Sequence, residues 1–170
     1  MKSKKNIVFL GMMGSGKTSI GKLFSKKLKL DFYDTDELIE RELGLSVSEI
    51  FDSLGEKKFR ELEEKVTLRI LNKKSVVISL GGGTFLNKII RTNILENHLS
   101  IWLKWQDEIL IKRIKNNLKR PLASKATTKE LTNLIKKRSN IYSKSLYKVE
   151  CDNLSKQELL KKVIEIYENN

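Results

Sequence analysis

"GMMGSGKT", Gly11 to Thr18, follows the apolar run "NIVFL" (Asn6 to Leu10) and precedes "SIGKLFSKKLKL" (Ser19 to Leu30). The octet satisfies G-x-x-x-x-G-K-[ST] in the context that gives this pattern its weight, a strand before it and a helix after it. Gly11, Gly14 and Gly16 let successive backbone N–H groups turn into one concavity and meet phosphate oxygens. The helix opening near Lys17 adds its positive N-terminal end. Lys17 then reaches the β and γ oxygens as a point charge, and the Thr18 hydroxyl is placed to ligate Mg2+. The loop therefore holds the terminal phosphates of a nucleoside triphosphate, and it carries no information about the acceptor.

Outward from this loop, apolar runs of strand length alternate with segments of helical period. The runs are 6–10, 31–33, 75–80, 99–105 and 146–151, which is the alternation of an α/β protein. In the first helical segment Ile20, Leu23, Phe24 and Leu28 form one stripe, with Lys22, Lys26 and Lys29 pointing elsewhere. "SVSE" (46–49) is a capping box that starts another helix, and Gly55 breaks it before "EKKFRELEEKVTLRIL". There Phe59, Leu62, Val66 and Ile70 form the buried stripe, with Arg60 about 100° round the wheel from Phe59. No repeat and no Pro/Gly/Ser-rich linker divides the chain, so its 170 residues are expected to form one domain.

Charge and cysteine content bound the function. The 34 Lys+Arg against 21 Asp+Glu give a net +13 that raises nucleic acid as a partner. Most of the excess is lysine on helical stretches without interleaved aromatics, so it reads as a solvated face and no nucleic-acid partner is expected. The apolar run before Gly11 is too short for a signal peptide or a membrane span; a cytoplasmic protein with no membrane partner is expected. Cys151 stands alone, which excludes an internal disulfide and a thiolate metal site.

Four features bear on the acceptor. Asp34 and Asp36, at the end of the second strand run, would project to the same side in extended backbone, at the sheet edge where α/β proteins bind ligands. One would serve the magnesium shell and the other accept hydrogen bonds from a substrate hydroxyl; Asp36 also fits as a helix cap. Gly81, Gly82 and Gly83 end a run of β-branched residues, which suggests a backbone that another group approaches closely. Arg60, Arg113, Arg120 and Arg138 stand out among lysines, because arginine forks planar anions. "LKRPLASKATTKE", which holds the only proline, Pro121, reads as a mobile segment of the kind that covers phosphate sites. His98, Trp102 and Trp105 read as capping or packing residues.

Together these residues resemble the shikimate kinase family of P-loop small-molecule kinases. "GMMGSGKTSIGK", "FYDTDELIE", "SVSEIFDSLGEKKFRELEE", "ISLGGG", "RIKNNLKRPL" and "KKRSNIY" occur in that family's order and approximate spacing, over nearly the whole chain. The resemblance implies a three-layer α/β/α fold with a central five-stranded parallel sheet in the order 2-3-1-4-5. It places a substrate-binding helical segment at about 35–63 and a lid at about 112–125. It also implies transfer of the γ-phosphoryl of ATP to the 3-hydroxyl of shikimate by a monomer, with Mg2+.

By that resemblance Gly14, Ser15, Gly16, Lys17, Thr18 and Ser19 bind the ATP phosphates, and Thr18 and Asp34 serve the magnesium shell. Asp36 holds the ring hydroxyls, Arg60 and Arg138 clamp the carboxylate, and Gly81 to Gly83 lend backbone N–H groups. Phe51 and Phe59 wall the ring, Glu63 orients Arg60, Arg120 reaches the phosphates from the lid, and Arg113 stacks on adenine. Lys17, Asp36 and Arg120 are the catalytic set. The family's frequent C-terminal proline against adenine is missing from "CDNLSKQELL". Other acceptors, gluconate or a nucleoside monophosphate, and a non-catalytic nucleic-acid-binding P-loop module are the alternatives.

Overall fold

A computed structural model of the chain describes residues 5–116 and 126–170. Five parallel strands, β1 (Ile7–Leu10), β2 (Asp31–Asp34), β3 (Val76–Ser79), β4 (Leu99–Lys104) and β5 (Tyr147–Glu150), form one sheet in the order β2-β3-β1-β4-β5. The central strands lack polar alternation because both of their faces are covered. In β1, Val8 and Leu10 enter one apolar cluster while Ile7 and Phe9 enter the other. Likewise Val76 and Ile78 of β3 face the first cluster and Val77 faces the second.

Helices cover each face. On the second cluster lie α1 (Lys17–Leu28), through Ile20 and Phe24, and α7 (Lys156–Glu168), through Leu159, Val163 and Tyr167. The first is covered by α2 (Thr35–Leu43), α3 (Val47–Leu71), α4 (Lys88–Asn97), α5 (Asp107–Lys115) and α6 (Thr128–Tyr142). This is the three-layer arrangement and strand order expected from the resemblance. Each fully buried Ile, Leu or Phe in these clusters contributes about 1.5–3 kcal/mol of transfer free energy.

Local chemistry sets the breaks. Ser46 and Glu49 form the expected capping box, and α3 bends at Gly55, where φ is 79° and ψ 163°. The buried stripe of α3 runs one residue differently from expectation: Leu62 is half-buried and Glu63 is buried in its place, beside Phe59, Val66 and Ile70. The extended backbone expected through Asp34 and Asp36 also fails. Asp34 ends β2 and is the N-cap of α2, accepting at Oδ1 from Asp36 N (3.0 Å) and Glu37 N (3.3 Å), so Asp36 sits inside the first helical turn. The cap is the earlier aspartate, and a helix turn aims Asp36. Arg120, Pro121 and most of the expected lid lie outside the described residues.

Candidate active site

The carboxyl ends of β1, β2 and β3 converge on one cleft. From β1 the chain enters the glycine loop, where Lys17 folds back to donate to Gly11 O (2.9 Å) and Met12 O (2.8 Å). Lys17 is only 7% exposed, and the loop backbone holds its ammonium at the start of α1, where the helix dipole is positive. Ser15 Oγ is buried with no hydrogen-bond partner among the described residues. Gly14 and Ser19 are exposed, and Gly16, φ 89°, opens α1 in a left-handed conformation with no side-chain cap. An anion in the loop would supply the missing cap.

From β2 and β3 come the groups beside the loop. Thr18 Oγ1 donates to Asp34 Oδ2 (2.6 Å) and lies 3.4 Å from Ser79 Oγ. These are hard oxygen donors at the foot of the phosphate loop. Among the described residues no group of three or more His, Cys, Asp or Glu could hold a metal alone. Two protein oxygens suit Mg2+, which keeps waters and shares phosphate oxygens.

The turn after β3 organises the acceptor side. None of Gly81, Gly82 and Gly83 has positive φ, so backbone conformation does not demand glycine there. Proximity does. A Cβ at Gly81 would overlap the Asp36 carboxylate, one at Gly82 would lie 3.1 Å from Arg138 Nη1, and one at Gly83 would lie 2.6 Å from Arg60 Nη1. Three consecutive residues without side chains thus admit, in order, the carboxylate and the two guanidiniums.

Each guanidinium is held from behind. Arg60 Nη1 donates to Glu63 Oε2 (2.8 Å), and the other oxygen of the buried Glu63 accepts from Thr84 Oγ1 (2.6 Å). Phe51 and Phe59 pack at a centroid distance of 4.6 Å, with Arg60 Cζ 5.8 and 5.2 Å from their ring centres. Arg138 Nη1 lies 4.0 Å from Met12 Sδ, and its Nε is buried without a hydrogen-bond partner among the described residues. Four residues on, Tyr142 donates its hydroxyl to Gly82 O and reaches Met12 Sδ at 3.8 Å. Burial pushes the Tyr142 phenol up to about 12, against a smaller downward pull from Arg138.

The structure therefore brings Lys17, Thr18, Asp34, Asp36, Arg60, Gly81 to Gly83 and Arg138 to one edge of the sheet. Arg113 sits at the far side of the glycine loop, its Cζ 3.7 Å from the Trp105 ring centre. His98 is elsewhere: it ends α4 ahead of β4, buried, and desolvation with Lys5 lowers its pKa. Sequence reasoning missed Thr35, whose Oγ1 accepts from Gly81 N (2.8 Å), as well as Thr84, Tyr142 and the Trp105 indole. Only Tyr142 carried a signal, its position one helical turn after Arg138.

The sequence model of a family described as "Shikimate kinase" matches residues 13–168. A shikimate kinase from Thermodesulfovibrio yellowstonii is 38% identical over 165 residues, covering 96% of this chain and 95% of that protein. A solved shikimate kinase from Acinetobacter baumannii, in complex with shikimate, superposes with a TM-score of 0.91 at 27% identity, covering 99% of this chain and 96% of that one. A gluconokinase from Sinorhizobium meliloti, at 13% identity and a TM-score of 0.56, covers 99% of this chain and 94% of that one and shares the fold alone.

Proposed function

This chain belongs to the shikimate kinase family, and from that premise we propose that the cleft transfers the γ-phosphoryl of ATP to the 3-hydroxyl of shikimate, giving shikimate 3-phosphate and ADP. The observation that carries the assignment of residues is the triple glycine turn, which admits Asp36, Arg138 and Arg60 side by side. Shikimate is a small hydroxylated ring bearing one carboxylate. Arg60 and Arg138 fork the carboxylate, and the Arg138 Nε, without a hydrogen-bond partner among the described residues, fits that task. Phe51 and Phe59 flank the ring, and Asp36 accepts the hydrogen bond of the attacking hydroxyl.

Phosphoryl transfer needs little covalent chemistry from the protein; it needs alignment and positive charge around the equatorial oxygens. Lys17 and the loop N–H groups hold the β and γ phosphates, and the side-chain shell of Glu63 and Thr84 keeps the acceptor arginine still. Thr18 and Asp34 would hold Mg2+, which would supply neutralisation of phosphate charge. Arg113 contacts the adenine, and Arg120, from the segment beyond the described residues, completes the charge over the phosphates. A single chain carries every group named, so the proposal needs no second subunit.

A coupled ADP-release assay tests this. Turnover is expected with shikimate and not with gluconate or nucleoside monophosphates. Arg60→Ala is expected to lower kcat/KM for shikimate by about a hundredfold or more with little change in KM for ATP. Wild-type efficiency in Arg60→Ala would remove the substrate assignment.

A further inference from the structure

Trp105 follows β4 directly, packs against both apolar clusters and is half-buried. Packing alone accounts for its bulk but not for two of its contacts. Its indole Nε1–H donates to Ser15 O (2.9 Å), bridging 90 positions in sequence to the phosphate loop. Its ring face carries the guanidinium of Arg113 at 3.7 Å, and Arg113 Nη1 in turn donates to Gly14 O (3.3 Å).

The geometry of the peptide bond gives the first contact its consequence. The Ser15–Gly16 peptide is trans, and in a trans peptide the C=O and the following N–H point in opposite directions. Tying Ser15 O to the indole therefore turns the Gly16 N–H away from Trp105, toward the side where the loop receives phosphate. At Gly16, φ 89°, the carbonyl accepts from Ile20 N (2.9 Å) in the first turn of α1, which fixes the far side of the residue and leaves the preceding peptide free to turn about that φ. A glycine peptide with that freedom needs an external tether to keep its donor aimed.

The second contact acts on the base. Arg113 is exposed at the end of α5, where an unsupported side chain loses considerable rotamer entropy on binding a ligand. The indole holds the guanidinium plane in place beforehand, by the stacking and cation–π attraction that arginine makes with tryptophan. On this arrangement the opposite face would meet the adenine. With no proline in "CDNLSKQELL", this backing is a way for the chain to grip the base from one side.

We propose that Trp105 is a positioning residue for the nucleotide, which orients the Ser15–Gly16 peptide toward the phosphates and backs Arg113 against the base. The proposal rests on the reading that the loop binds ATP, and its test is arranged so that the two can fail separately. Trp105→Phe keeps the ring and loses the N–H; Trp105→Ala loses both. The Kd for ADP by calorimetry and the KM for ATP are expected to rise about two- to tenfold in Trp105→Phe, the factor one hydrogen bond of ordinary net strength controls. A larger rise is expected in Trp105→Ala, with the KM for shikimate within about twofold of wild type in both.

An unchanged ADP affinity in Trp105→Phe overturns the proposal. So does a parallel rise of both KM values accompanied by a lowered melting temperature, which would mark a packing role. If Trp105→Ala does not fold, Trp105→Phe alone decides. ADP calorimetry requires no acceptor, so a wild-type protein that binds ADP but does not phosphorylate shikimate would sink the functional reading while leaving this one testable.

Discussion

Gly81 is where one methyl group has the most specific effect. Its φ lies outside the left-handed region, so alanine is conformationally allowed, and the conflict is with the Asp36 carboxylate and with Thr84 Oγ1 at 2.9 Å. A carboxylate at the end of a short side chain yields by rotating, which makes the cost in stability small and the cost in alignment large. Gly81→Ala is therefore expected to lower kcat/KM for shikimate by about a hundredfold, the scale of a misplacement of about 1 Å, while the melting temperature stays near that of wild type. A melting scan beside the ADP-release assay separates the two effects; a variant with normal turnover would show that Asp36 does not depend on that turn. At this scale the sequence disclosed Asp36, Arg60 and Arg138, because chemical type and motif order single them out. It was silent on Thr35, Thr84 and the indole of Trp105, whose contacts span 46, 21 and 90 positions and leave no local pattern.

The decisive element is α3, which puts Phe51 on one side of Gly55 and Phe59, Arg60 and Glu63 on the other. At φ 79° and ψ 163°, Gly55 occupies a region essentially closed to residues with a Cβ, and a Cβ there would meet nothing within 4 Å. The cost of alanine is then backbone strain alone, about 1–3 kcal/mol. Part of that strain is relieved by straightening the bend, which moves Phe51 relative to Arg60. Gly55→Ala is expected to lower unfolding free energy by that amount in urea titration and to raise KM for shikimate more than KM for ATP. The capping box and the glycine break were legible because each is written in adjacent residues. The placement of Asp36 was not: a D-T-D spacing is compatible both with a strand and with a strand ending in a cap, and the hydrogen bonds to Asp34 Oδ1 decide for the second.

Over the whole molecule, the alternation of apolar runs and helical periods identified α/β layering, whereas the strand order came with the family resemblance, since alternation alone does not say which strands are neighbours. The two apolar layers that result also make a prediction about alkaline pH. Of the acids these layers bury among the described residues, two shift furthest: Tyr142 in the layer beneath the site, and Cys151 in the layer under α1 and α7, where Tyr167 is raised as well. Burial pushes Tyr142 from 10.0 to about 12; burial, aided by Asp152, pushes Cys151 from 9.0 to about 12. Both are neutral when protonated, so above pH 9 the unfolded chain loses these protons before the folded one does, and stability falls with rising pH. The contribution is complete below pH 9 and lost by about pH 12, with Tyr142 alone accounting for roughly 2–3 kcal/mol at one pKa unit per 1.36 kcal/mol. Lysine titration acts over the same range, so the comparison must be with Tyr142→Phe, which keeps the ring and removes the ionising group. Urea denaturation from pH 8 to 11.5 is expected to show a shallower decline in that variant than in wild type; parallel curves would mean that the phenol, once inside, does not govern the alkaline limit of the fold.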